Sequence, residues 1–306
     1  MKHASVKVAL LRELDESQIA KIRKHGVQVV KGHDYEADIA LVSGTFPEFP
    51  RYKKLKWVHT SFSGVDGLLT DELKRSRVLL TNSRGAASVP IAEHVFAFIL
   101  AFERQLMRAF RNKEESQWER ISAGEIQGKT MGIVGLGNIG SEAAKRAKAF
   151  GCRVVAATKE SHAADFVDET LPPEKLDKLL RSSDYVVICA PLTKETMHMI
   201  GKKELASMKK SALIVNVGRG AVIDEKALAE ALQKKQIRGA CLDVFEEEPL
   251  PKSSPLWKMD NVIITSHYSG NSPHYGERVT ELFCSNLDAF LTGKEMKNVV
   301  DLKRGY

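Results

Sequence analysis

The chain has 306 residues, 43 % hydrophobic and 28 % charged, which bounds it at about two domains and excludes a disordered or low-complexity polymer. Its formal net charge of +7 raises a nucleic-acid partner, but the cations are scattered through helical stretches such as 21–24 and 202–203. With no dense basic run interleaved with aromatics, the charge reads as a solvated surface and no nucleic acid is expected. Cys152, Cys189, Cys241 and Cys284 form no C-x-x-C pair, so no metal site is expected and the thiols read as free. The N-terminal stretch lacks a signal-peptide core, and the longest uncharged apolar run, Val95 to Phe102, is far short of the ~20 residues that span a bilayer. A cytoplasmic chain without a membrane partner is expected.

Taken in order, short apolar runs alternate with amphipathic stretches. Strands are predicted at 7–11, 27–30, 39–42, 57–60 and 78–81, and helices at 16–25 and 67–74. One long helix is expected from Ile91 to Arg111, beginning just after Pro90, since proline suits a helix start. A second series begins at Thr130, with strands at 130–135, 153–157, 185–190, 212–217, 239–245 and 261–265, and a last helix at 272–293. This alternation signals an α/β fold with parallel, doubly wound sheets.

Residues 130–140 read Thr-Met-Gly-Ile-Val-Gly-Leu-Gly-Asn-Ile-Gly. A strand therefore runs into G-x-G-x-x-G, and an amphipathic helix and a second strand follow, the context that makes this fingerprint specific for a dinucleotide. Gly135 permits the tight turn, Gly137 lets the backbone approach a pyrophosphate, and Gly140 lets helix and strand pack closely. Asn138 and Ile139 complete the turn at the helix start, where N–H groups and the helix dipole attract phosphate.

An NAD site usually has an acid roughly 20 residues on, at the end of the second strand. Here that position is Thr158, followed by Lys159. Without a carboxylate to repel it, a 2′-phosphate can pair with Lys159 and accept from Thr158. NADP(H) is expected to be preferred, with NAD(H) the alternative if Glu160 takes the acid's role.

Four polar residues fall just past predicted strand ends: Arg219, Asp243, Glu248 and His267. Ligands bind at this edge of open α/β sheets, and an Arg, an acid and a His there suit carbonyl reduction of an anionic substrate.

The sequence resembles the D-isomer-specific 2-hydroxyacid dehydrogenase family over nearly its whole length. The resemblance is carried by 63–66 (Ser-Gly-Val-Asp), 91–94 (Ile-Ala-Glu-His), the glycine loop, 191–193 (Pro-Leu-Thr), 216–220 (Asn-Val-Gly-Arg-Gly), 242–250 (Leu-Asp-Val-Phe-Glu-Glu-Glu-Pro-Leu) and Ser266-His267. It implies that Arg219 grips the 2-oxo acid, that His267 is the general acid/base and that Glu248 pairs with it. A carboxylate partner favours the protonated imidazole. Asp243 resembles the residue that orients the nicotinamide carboxamide, Pro191 lies in a cofactor-contacting motif, and the backbone around Ser63 and Gly64 resembles the substrate-carboxylate cradle.

The resemblance further implies two domains: a Rossmann dinucleotide-binding domain (99–271) inserted into a flavodoxin-like substrate domain (1–98 and 272–306). It also implies a homodimer; the apolar face of Val95 to Phe110 either contributes to it or is buried inside one subunit. Two positions depart from the pattern, Ser266 where proline is common and the missing acid at Thr158. Glu248, where formate dehydrogenases carry glutamine, argues for hydroxy-acid chemistry. The alternative is a dinucleotide-sensing, corepressor-like binding protein on the same fold. Phe46, Phe62, Met107, Tyr268 and Tyr275 are candidates to line a substrate pocket, and the substrate side chain is not legible.

Overall fold

The runs Ile39–Val42, Trp57–Thr60, Tyr185–Ile188, Leu213–Asn216 and Gly239–Leu242 are buried at every position. Burial on both faces is what a parallel sheet covered by helices imposes on its strands. The computed structural model describes residues 6–159 and 165–302. It divides into one unit of the residues up to Ala87 with those from Ser272 onward, and a second unit, Ser88–Asn271.

The first unit holds strands β1 (Lys7–Leu11), β2 (Gln28–Lys31), β3 (Ile39–Val42), β4 (Trp57–Thr60) and β5 (Leu79–Asn82), all parallel, in the order β2-β1-β3-β4-β5. This is the flavodoxin-like order, with its reversal between β1 and β3. Helix α1 (Glu16–Arg23) starts at a capping box in which Asp15 accepts from the Gln18 N–H and the Gln18 side chain accepts from Asp15 N–H. Helix α2 (Asp71–Arg75) is capped by the Thr70 hydroxyl. Trp57, fully buried, stacks on Phe283 of the Tyr275–Thr292 helix at 5.0 Å between ring centroids.

The second unit opens with α3 (Ser88–Glu103) and α4 (Leu106–Glu114). Where one helix from Ile91 to Arg111 was expected there are two, and Gln105 between them has φ +56°. The reason is tertiary. The carboxylate of Glu103 is captured by Arg238 and by the Tyr185 hydroxyl at 2.8 Å, and its carbonyl accepts from Gly124 N–H at 2.9 Å. The face of α3 formed by Ala92, Val95, Phe96, Phe98 and Ile99 is spent on this unit's core, against Met131 and Val215 among others. That packing puts the unit's start at Ser88, where the sequence suggested residue 99.

There follow β6 (Thr130–Val134), α5 (Asn138–Ala149), β7 (Arg153–Ala157), β8 (Glu169–Leu171), α6 (Leu176–Ser182) and β9 (Tyr185–Ile188). Then come α7 (Lys202–Ser207), β10 (Leu213–Asn216), α8 (Glu225–Gln233), β11 (Gly239–Leu242) and β12 (Val262–Ile264). The parallel order β12-β11-β10-β9-β6-β7-β8 is the Rossmann order with a seventh strand added. Apolar clusters fill both sheet faces, one beneath α6, α7 and α8, the other beneath α3 and α5.

All four cysteines are free. Burial pushes the Cys152 and Cys284 thiols up to about 11 and that of Cys189 to about 12, and raises that of Cys241 as well. Among the described residues, no cluster of His, Cys, Asp and Glu could hold a metal ion, and no helix is long and apolar enough to cross a membrane.

Candidate active site

The glycine turn sits where the strand order of the second unit reverses, between β6 and β9, the place where open α/β sheets bind ligands. Gly135 has φ +95°, and a Cβ on it would fall 2.8 Å from Ala190 N. A Cβ on Gly140 would fall 2.3 Å from the Gly135 carbonyl oxygen, so glycine there lets α5 start directly against the turn. Gly137 is the N-cap of α5 and is exposed, with no atom within 4 Å of where a Cβ would stand. The exposed N-cap and the first-turn residues Asn138 and Ile139 form an open cradle of backbone donors suited to a pyrophosphate. The chain's residues fit a dinucleotide.

At the end of β7, Thr158 is half-buried with its N–H donating to Leu171 O at 3.0 Å, and Lys159 is exposed. Glu160 lies outside the described residues. Beyond β9, the carbonyl of Pro191 accepts from the Thr196 hydroxyl at 2.6 Å. The Thr193 hydroxyl holds the Glu195 carboxyl below its usual range, with a smaller contribution from Lys159. Sequence alone does not bring this acid to Lys159, because Glu195 and Lys159 meet only when β7 and β9 flank β6.

Beyond β10, β11 and β12, three adjacent strands deliver the other polar residues to one edge. Arg219 follows β10, half-buried, and its guanidinium donates to the Gly218 carbonyl at 2.9 Å. Asn216 shapes this turn: its side-chain oxygen accepts from Gly218 N–H at 3.1 Å, and its amide donates to Arg219 O at 3.0 Å. A Cβ on Gly220 would fall 1.8 Å from the Phe245 carbonyl carbon, so the turn after Arg219 presses onto the loop leading to Glu248.

The Nδ1 of His267 lies 2.6 Å from Glu248 Oε2, while the other Glu248 oxygen accepts from Phe245 N–H at 3.0 Å. The ring is half exposed, and the residue has φ +52°, a left-handed backbone uncommon outside glycine and typical of constrained functional sites. Asp243 is fully buried. Its carboxylate accepts from the Thr265 hydroxyl at 2.5 Å and from Tyr268 and Ser269 N–H at 3.1 Å each, and its carbonyl accepts from His267 N–H at 2.9 Å.

In the first unit, the loop after β4 carries Ser63 and Gly64. Asn82 donates to Ser63 O at 2.9 Å, Ser83 N–H donates to Phe62 O at 3.0 Å, and the Tyr275 hydroxyl donates to Ser61 O. Of the candidate pocket residues, Phe46 is buried in the core against Phe49 and Tyr52, whereas Phe62, Met107 and Tyr268 are exposed.

Residues 96–269 match the family model described as D-isomer specific 2-hydroxyacid dehydrogenase, NAD binding domain. The chain is 33 % identical to the glyoxylate reductase of Korarchaeum cryptofilum, over 96 % of each chain. It is 31 % identical to a D-isomer specific 2-hydroxyacid dehydrogenase from Xanthobacter autotrophicus, solved with NADPH and MES, at a TM-score of 0.88 over 99 % of this chain and 100 % of that one. An NADPH-dependent glyoxylate/hydroxypyruvate reductase from Sinorhizobium meliloti, solved with NADP and sulfate, is 26 % identical with a TM-score of 0.85, covering 99 % and 100 %.

Proposed function

Because the chain belongs to the D-isomer specific 2-hydroxyacid dehydrogenase family, we propose that it reduces 2-oxo acids to D-2-hydroxy acids and takes NADPH in preference to NADH. The observation that carries this reading is the His267–Glu248 pair at 2.6 Å, on the strand-end edge that also bears Arg219 and Asp243.

A bound nicotinamide would supply a hydride to the carbonyl carbon. The protein does the rest. Arg219 offers a planar guanidinium that donates two hydrogen bonds to a 2-oxo acid, and the Ser63–Gly64 backbone receives its carboxylate. His267 gives a proton to the carbonyl oxygen. Glu248, bonded to the other ring nitrogen, fixes the ring's orientation. The backbone donors at Gly137, Asn138 and Ile139 would hold the pyrophosphate, Pro191 would line the cofactor, and Asp243 would orient the carboxamide.

Thr158 and Lys159 stand where an NAD site carries an acid, and they favour a 2′-phosphate. Glu195 tempers Lys159, so NADH is slower rather than excluded. The active form is a homodimer. The α3 part of the candidate face is spent inside the unit, but Leu106, Met107, Phe110 and Trp118 remain exposed and are the surface a second copy would cover.

The test is oxidation of NADPH and NADH, followed by absorbance, over 2-oxo acids from glyoxylate and hydroxypyruvate to phenylpyruvate. The expected result is turnover, with kcat/KM higher for NADPH and reversed towards NADH by Thr158→Asp. Equal or better use of NADH by the unaltered protein would remove the cofactor assignment. Dinucleotide binding without turnover of any acid would replace the reductase with the sensing, corepressor-like reading.

A further inference from the structure

His94 belongs to the 91–94 motif, which the sequence leaves without a role. It lies on α3 with its side chain 15 % exposed, its ring edge-on to Phe98 at 4.4 Å and to Tyr268 at 5.3 Å between centroids. Its Nε2 is 3.0 Å from the Thr265 hydroxyl oxygen, which is itself 2.5 Å from Asp243 Oδ1.

These distances fix the protons. A carboxylate only accepts, so the single hydroxyl proton of Thr265 goes to Asp243. The Thr265 oxygen must then accept from His94, which places a proton on Nε2. Burial holds the His94 ring below its ordinary pKa, against the opposing pull of Asp243, and a neutral ring with its proton on Nε2 satisfies the whole chain. The Asp243 carboxylate passes the constraint on through two backbone groups, the N–H of Tyr268 and Ser269, beside the His267 N–H that its own backbone carbonyl holds. His267 is the residue held at φ +52°.

We propose that His94 is a positioning residue: through Thr265 it fixes the Asp243 carboxylate, and Asp243 clamps the 267–269 backbone so that His267 meets Glu248 in one orientation. The effect on rate rests on the reductase reading above; the clamp itself does not.

The experiment measures amide hydrogen exchange across the second unit in the ligand-free protein, beside kcat and KM, for His94→Phe, His94→Gln and Thr265→Val. His94→Phe keeps a ring against Phe98 and Tyr268 but removes the donor, whereas His94→Gln restores an N–H at the Nε2 position. In both His94→Phe and Thr265→Val exchange at 267–269 should quicken; kcat should fall by about 10- to 100-fold in Thr265→Val, the range for losing a hydrogen bond to a charged group, and by about 2- to 10-fold in His94→Phe, the range for a neutral pair. KM should hold within about 3-fold, the mark of an interaction that matters in the transition state, and His94→Gln should recover both readouts. Unchanged exchange at 267–269, an unchanged kcat beside faster exchange, or failure of His94→Gln to recover either readout would overturn the proposal. The expected exchange pattern in a protein whose unaltered form turns over no 2-oxo acid would sink the reductase reading and leave the clamp standing.

Discussion

His59 lies in a buried chain of hydrogen bonds whose direction is set by the Thr60 carbonyl, which can only accept. Trp57 Nε1–H donates to the Thr81 oxygen at 2.8 Å, and that hydroxyl lies 2.7 Å from His59 Nδ1. The ring's Nε2–H then donates to Ser83 at 3.0 Å, and Ser83 donates to Thr60 O at 2.9 Å. With Nε2 protonated, Nδ1 accepts the Thr81 proton, and a second ring proton would have to turn that hydroxyl away. Burial, with a smaller contribution from Arg12, holds the His59 pKa down to about 3. The unfolded chain, with an ordinary histidine value near 6.5, therefore takes up a proton that the folded state refuses. Stability from this group is complete above about pH 6.5 and falls by about 1.4 kcal/mol per pH unit between there and pH 3. His59→Gln should flatten the acid limb of a stability-against-pH curve by about one proton; an unaltered slope would exclude His59 as its source. At His267 the matching residue-scale prediction concerns rate. Asparagine tolerates a left-handed backbone but is no proton donor of comparable acidity, so His267→Asn should keep its fold by circular dichroism and lose at least ~10²-fold in kcat. Near-full turnover would remove the acid/base assignment.

The break between α3 and α4 sets the prediction at the scale of elements. Left-handed backbone costs a non-glycine residue about 1–2 kcal/mol, and glycine repays part of that in unfolded-state entropy. Gln105→Gly, at φ +56°, should therefore raise stability by about 0.5–1 kcal/mol in urea unfolding, and a loss would mean that the Gln105 side chain contributes more than its backbone costs. This break was not legible in the sequence, because 91–111 keeps a helical period without glycine or proline. What stops α3 is the capture of Glu103 by Arg238 and Tyr185, 135 and 82 residues away. The strands were legible for the opposite reason: each is a short apolar run whose burial on both faces leaves its mark in the local sequence. That Arg219, Asp243, Glu248 and His267 stand beyond strand ends followed from the same runs. The His94–Thr265 contact did not, since it joins a helix to a strand end 171 residues on.

For the whole molecule, the order of strands within each sheet came from the family resemblance rather than from periodicity, which says that a strand exists but not which neighbour it takes. Assembly is the property to test at this scale. Phe110, 57 % exposed, stands with the exposed Leu106 and Met107 on a helix that buries no residue, and Trp118, in the segment after it, is 97 % exposed; such side chains are costly to leave in water. Light scattering should give twice the chain mass, and Phe110→Glu should return it to a single chain; a monomer from the unaltered protein would contradict the dimer. The four free thiols, buried at Cys152 and Cys241 and half-buried at Cys189 and Cys284, have a use of another kind. With a pKa near 11, only about one thousandth of a thiol is thiolate at pH 8, so an alkylating reagent leaves the folded chain almost unmarked. Cys284 lies in one unit and Cys152, Cys189 and Cys241 in the other. Pulsed alkylation read by mass spectrometry therefore times the opening of each unit separately, with no label introduced and no residue changed.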